Sequence, residues 1–253
     1  MCGRFTLRTP AARLVELFRA ADVPTLSPRY NIAPTQLVLC VRSICDDPAN
    51  REAVLMKWGL IPFWAKDESI GSRMINARSE TAAQKPAFRK AFESRRCLII
   101  ADGFYEWEKL PGRKKQPWLM HLPDNEPFAF AGLWERWSPK SPDENVASEH
   151  PAEVTSCTIL TTAANDDLRS MHDRMPVILP SETHDAWLSS HASRGQLQAL
   201  MQPLADGVLS RYPVSSLVNR VANESPACAE PCDSPADSDS AAPDRPRQNS
   251  LFE

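Results

Sequence analysis

Apolar residues in this chain fall mostly into short runs. Leu37–Val41, Ala53–Trp58, Cys97–Ala101, Trp118–Leu122, Phe128–Trp134 and Cys157–Thr162 are rich in aliphatic and aromatic side chains, which predicts six β-strands. Helical spacing is rarer. Thr9-Pro10 offers an N-cap followed by proline at the first helical position, and Leu14, Val15 and Phe18 supply the apolar face of a short helix. Residues 82–93 read as a second helix. A third, 181–202, starts at Ser181 with Glu182 in its first turn and breaks near Ser193. Strands dominate and βαβ alternation is irregular. The pattern predicts an α+β fold: one compact domain around a curled, mainly antiparallel sheet or barrel with a few flanking helices.

Two stretches depart from this pattern. From about Val221 the chain is rich in Pro, Ser, Asp and Ala and nearly devoid of aromatics, so 222–253 reads as a disordered acidic tail that cannot offset its ordering entropy. Residues 138–153 have the same character between two apolar runs and read as an acidic surface loop. The expected domain is therefore 2–221. Its partners are expected to include no membrane, because no apolar run is long enough to span one and the N-terminus carries no signal-type apolar core.

Charge changes the picture by its position. The total is −3, but seven acids against two arginines fall in 222–253 and four acids against one lysine in 138–153, leaving the remaining body at +5. Such a body permits phosphate binding. The seven cysteines are an odd, scattered set, and Cys40, Cys97 and Cys157 lie in apolar runs as buried thiols, in keeping with a reducing cytoplasm. Cys228 and Cys232 lack a second ligand pair nearby. No zinc-type spacing and no glycine-rich loop after a strand occurs, so neither a metal nor another cofactor is expected.

Cys2 is the first candidate for chemistry. Removal of Met1 would place an α-amine and a thiol on one residue, and with an amine pKa near ~8 a useful fraction is neutral at pH 7. An amine condenses with an aldehyde, and the neighbouring thiol can then close a five-membered thiazolidine. Phe5 favours burial and would pin this terminus beside the core. Trp58 and Trp64 bracket a Gly/Pro turn that continues to Lys66, Arg73 and Arg78; they suit either core packing or base stacking beside phosphates. Asn76 and Arg78, two apart, would face one side of an extended stretch, either as a solvated turn or as holders of a phosphate or sugar oxygen. Glu106 lies between Tyr105 and Trp107, and is either exposed on a strand or poorly solvated and suited to proton transfer; Gly103 marks a bulge or close approach. Among five histidines, only His172 is flanked by Asp and Arg in a turn before a strand, as a structural residue or an acid/base.

Together these stretches resemble the SRAP (SOS response-associated peptidase) family of abasic-site shielding proteins. The matching pieces are Met-Cys-Gly-Arg-Phe at 1–5, Tyr-Asn-Ile-Ala-Pro-Thr at 30–35, Trp-Gly-Leu-Ile-Pro at 58–62, Asn-Ala-Arg-Ser-Glu-Thr at 76–81, Gly-Phe-Tyr-Glu-Trp at 103–107 and His-Asp-Arg-Met-Pro at 172–176. The resemblance implies a covalent thiazolidine link to abasic sites in single-stranded DNA, made by Cys2 in the DNA damage (SOS) response. It further implies that Asn76 orients the terminus and contacts the sugar, that Glu106 shuttles protons and that His172 is an acid/base near the deoxyribose. Arg4 and Arg78 would grip flanking phosphates, and Trp58 and Trp64 would shape the surface holding the strand. A cytoplasmic protein, nucleoid-associated when on DNA, is implied as well; a monomer is the working expectation. Two other readings stay open. One is a cysteine peptidase, autoproteolytic, with Cys2 as nucleophile and His172 as base; the other is a non-covalent single-strand binding module.

Overall fold

Each of the six predicted runs forms a strand, and most extend beyond their apolar stretch. The computed structural model describes residues 2–21, 23–45, 47–113, 115–139 and 153–232. In chain order the strands are β1 (Phe5–Leu7), β2 (Ala20–Ala21), β3 (Arg29–Ile32), β4 (Leu37–Ile44), β5 (Asp47–Trp58), β6 (Asn76–Arg78) and β7 (Arg96–Ala101). They continue with β8 (Gly103–Lys109), β9 (Lys115–His121), β10 (Phe128–Trp137), β11 (Val154–Ala163), β12 (Arg174–Pro176), β13 (Ile178–Leu179) and β14 (Ser210–Pro213). The helices are α1 (Ala11–Phe18), α2 (Ser79–Ala82), α3 (Arg89–Ser94), α4 (Asp166–Arg169), α5 (His184–Leu188) and α6 (Arg194–Leu200).

The larger sheet curls into a ring. Strands β5, β4, β7, β10 and β11 pair antiparallel in that order, and a parallel contact of Ser156 with Lys57 and Cys157 with Trp58 joins β11 back to β5. Closure at this end leaves the sheet curled on itself, as in small barrels. The core holds Met56, Trp58, Ile99, Phe130 and Ile159, and the thiols of Cys40, Cys97 and Cys157 are buried in it, with Cys40 and Cys157 Sγ 3.8 Å apart. A second antiparallel sheet runs β14-β9-β8-β1-β3. The chain passes from β7 into β8 at Asp102, and Gly103 permits the step: a Cβ there would stand 2.9 Å from Thr6 Oγ1. This is the close approach expected at that glycine.

Several expectations are corrected. The single helix 82–93 is two short ones, α2 and α3, because Pro86 has no N–H to continue the ladder. The stretch 181–202 breaks as expected, with Ser193 capping α6 in a capping box with Gln196. Thr9 does not cap α1; its hydroxyl and N–H both go to Asp102, and Val15 lies exposed while Leu14 and Phe18 are buried.

Order also continues past Val221. The Glu224 carboxylate accepts hydrogen bonds from Asn31 N (2.9 Å) and Tyr30 N and pairs with Arg29 (2.8 Å), while Cys228 is fully buried beside Tyr105, Val214 and Val218. Residues 222–232 thus strap over the second sheet, held by one acid and one thiol that a compositional reading scores only as tail. The remaining tail, from 233, and most of the expected loop, 140–152, lie outside the described residues.

Candidate active site at the amino terminus

Strand register carries Cys2 to its place. Phe5 pairs with Phe104 and Thr6 with Gly103, so extending the ladder sets Gly3 and Cys2 level with Glu106 and Trp107. Phe5 is wedged in the core, its ring 5.0 Å from Trp58 and 5.8 Å from Phe130. Further along, one carboxylate latches the strand. Asp102, itself buried, accepts from Thr6 Oγ1 (2.6 Å), Arg8 Nε (3.1 Å), Thr9 N (2.9 Å), Thr9 Oγ1 (3.0 Å) and Arg8 N.

Asn76 reaches Cys2 from β6, which lies parallel to β11 with Asn76 opposite Ile159. Its Nδ2 donates to the Cys2 carbonyl at 2.8 Å, and its buried Oδ1 has no hydrogen-bond partner among the described residues. Cys2 is fully buried, and burial, with the nearby Glu106 charge adding to it, pushes its thiol far above the ordinary range. Glu106 is buried as well. Desolvation raises its carboxyl above the usual value.

His172 stands in the turn between α4 and β12, one-third exposed, with its backbone N–H on Leu168 O (3.0 Å). Two groups compete for its Nδ1. Arg174 N–H donates to it at 2.9 Å, which needs a lone pair there, whereas Asp173 Oδ1 at 2.8 Å needs a proton there. The neutral ring bonded to Arg174 N–H carries its proton on Nε2, and protonation of Nδ1 brings Asp173 into play. His172 and Glu106 line one cleft of ≈ 530 Å³ together with Trp107, Lys109, Lys115, Arg169 and Asp173.

The remaining candidates separate. Arg78 is exposed on the same strand as Asn76. Trp64, 44% exposed beside the exposed Phe63, stands on a loop anchored by Trp137 Nε1 donating to Ala65 O (2.9 Å). Gly59 makes this loop possible: its φ is 127° and a Cβ would lie 2.5 Å from Gly71 O. Trp58 is different. It is fully buried with Nε1 on Ile75 O (2.9 Å), so the expectation that it shapes a DNA-facing surface is corrected: its indole is core, and it supports Phe5. Arg4 is also largely committed inward, with Nη1 donating to Asn31 Oδ1 (2.6 Å) and Val218 O (2.7 Å). Among the described residues, no group of three His, Cys, Asp or Glu is placed to hold a metal.

Residues 1–221 match the family model described as SOS response associated peptidase (SRAP). The chain belongs to the SRAP family. Its relatives include the abasic site processing protein YoqW of Bacillus subtilis, 43% identical over 234 residues that cover 91% of this chain and 99% of that one. The abasic site processing protein HMCES of Gallus gallus is 28% identical over 272 residues, covering 91% of this chain and 78% of its own. A crystal structure of a Bacteroides thetaiotaomicron protein shares the SRAP fold of this chain at TM-score 0.77 and 22% identity, covering 91% of this chain and 100% of the other. A Bordetella bronchiseptica protein does so at TM-score 0.66 and 29% identity, covering 85% and 100%.

Three residues of this SRAP site escaped the sequence reading. Asp102 gave no signal beyond its place before Gly103. Asn31, inside the Tyr-Asn-Ile-Ala-Pro-Thr motif, uses Nδ2 on the carbonyls of Arg220 (3.0 Å) and Asn223 (2.7 Å) and so ties Arg4 to the C-terminal strap. Arg174 grips Glu80 with both Nη atoms (2.6 and 2.9 Å), which holds α2, just after Asn76 and Arg78, against β12. The two tryptophans should separate experimentally. Trp58→Ala is expected to cost about 3–5 kcal/mol of stability in urea unfolding, whereas Trp64→Ala should leave stability within about 0.5 kcal/mol.

Proposed function

We propose that this SRAP protein processes abasic sites in single-stranded DNA by covalent capture through Cys2, exposed once Met1 is removed. The observation that carries the reading is what surrounds Cys2: Asn76 Nδ2 holds its carbonyl at 2.8 Å, and the β1–β8 register sets the terminus level with Glu106, which lines a cleft together with His172. The named function of relatives spanning 91% of the chain supports the same substrate.

The chemistry follows from the two groups on one residue. The neutral α-amine adds to the C1′ aldehyde of the ring-opened sugar, and loss of one water gives an imine. The thiol then adds across the C=N bond: a C–S bond forms, the thiol proton ends on nitrogen, and one water is the only product released. Glu106, with a raised carboxyl, gives a proton to the departing hydroxyl and takes one from the thiol. Asn76 fixes the carbonyl side of the residue and offers Oδ1 to the amine or to a sugar hydroxyl. His172 Nε2–H faces the opened sugar as donor, while Arg78 and Trp64 hold a flanking phosphate and a stacked base. A peptidase reading would need a Cys2 thiolate, which burial opposes. Amine-led capture needs none at the outset.

Mature protein mixed with an oligonucleotide carrying one abasic site should give a band that survives SDS and heat. Cys2→Ala should remove the band altogether. A band of equal strength in that variant, or none with the unaltered protein, defeats the proposal.

A further inference from the structure

The cleft beside Glu106 and His172 carries more positive charge than proton transfer needs. At the turn end of the β8–β9 hairpin, Lys109 and Lys115 are directly opposite in the ladder, both exposed. Like charges so placed, about 5 Å apart at Cβ, destabilise a sheet. Among the described residues neither lysine has an ion-pair partner. Arg169 lines the same cleft from α4; it pairs with Asp166 at 3.1 Å, an exposed contact one turn away on the same helix that holds a guanidinium only weakly. The acids in the cleft are Glu106, buried, and Asp173, which faces His172. A hairpin that sets two ammonium groups side by side, with a guanidinium across a ≈ 530 Å³ cleft, is built for an anion from outside.

We propose that Lys109, Lys115 and Arg169 form a phosphodiester subsite for the DNA strand on one side of the captured sugar. This rests on the reading of Cys2 above and adds what that reading lacks. Arg78 serves a strand leaving past β6, but Arg4 spends Nη1 on Asn31 and Val218, so it is poorly placed to serve the opposite side. The cleft that Glu106 lines is lined as well by Trp107 and by the two lysines. A chain leaving the reaction centre that way meets an aromatic face and then three cations, an arrangement that tracks single-stranded backbone without reading sequence. The subsite therefore binds any sequence, and binds it in a salt-dependent way.

The test measures equilibrium binding in a Cys2→Ala background, so that no covalent link forms, using oligonucleotides with a stable abasic analogue. The variant Lys109→Gln/Lys115→Gln/Arg169→Gln is compared with its parent and with Arg194→Gln, an exposed cation elsewhere. Neutralising three contacts should lower the slope of log K against log [salt] by about 2 and weaken binding on the order of tenfold at 0.1 M salt. Trimming the oligonucleotide on one side of the lesion should erase the difference between variant and parent; trimming the other side should preserve it. An unchanged slope, the same loss from Arg194→Gln, or a loss indifferent to which side is trimmed overturns the subsite. Capture by the unaltered protein is scored separately. A covalent band with an unchanged slope rejects only the subsite, and absence of a band rejects the reading beneath it.

Discussion

Asp102→Ala should lower the stability of the protein by roughly 3–5 kcal/mol, the cost typical of removing one partner from a buried charged network. The side chain is 2% exposed and gathers two hydroxyls, two backbone N–H groups and the Arg8 guanidinium. Alanine would leave the Arg8 and Thr9 N–H groups and the Thr9 hydroxyl without this acceptor, and each buried orphan is more expensive than a lost surface bond. Asp102→Asn keeps an acceptor on one side and should cost less. Urea unfolding gives the numbers; a loss under about 1 kcal/mol for alanine would show that water replaces the carboxylate. The same substitution should slow capture at Cys2 even where the protein remains folded, because the residues released are those that continue β1 toward the terminus.

Glu106→Gln should do two opposite things. If Glu106 moves the protons of imine formation and ring closure, capture should slow by about 10²–10⁴-fold, the usual worth of positioned acid–base catalysis. Stability at pH 7 should rise. The carboxyl of Glu106 is raised in the folded protein by burial, so the folded state favours the protonated form. Its contribution is present in full below the unfolded-state value near ~4.3 and is lost as pH climbs through the higher folded value. Glutamine stays neutral, so its advantage over glutamate should open across that window and persist above it. Thermal melts of both proteins between pH 4 and 8 provide the comparison. Parallel curves, or a variant less stable at neutral pH, would contradict the burial argument, while unchanged capture would remove Glu106 from the reaction. A gain in stability with a loss of activity is the pattern of a side chain kept for chemistry.

The strand runs were legible because alternating or continuous apolar stretches are a local signal, and all six became strands. Ring closure was less so: the parallel contact of β11 with β5 joins residues about a hundred positions apart, and nothing in either run announces its partner. Asn76, Glu106 and Cys2 were singled out by residue type and motif; Asn76 lies in hydrogen-bond contact with the Cys2 carbonyl, and the strand register sets Glu106 close to the same terminus. Trp58 stayed ambiguous because a buried indole and a base-stacking indole look alike in one dimension; its burial, its hydrogen bond to Ile75 O and its contact with Phe5 separate them. Asp102, Asn31 and Glu224 were illegible for another reason. Each is a lone polar residue whose value lies in hydrogen-bond partners contributed by distant segments. The lysine pair was hidden likewise, since Lys109 and Lys115 become neighbours only through the hairpin register.

The strap over the second sheet sets a timetable for the protein's own synthesis. Arg4 is made 214 residues before its partner Val218. At ordinary elongation speeds the wait is roughly 10–40 s. Until then the amino terminus has its β-strand neighbours available in stages but not the segment that finally ties Arg4 and Asn31 in place. A nascent chain therefore carries its amino-terminal strand without that tie, and Arg4 and Asn31 acquire their full set of contacts only once the strap has been made.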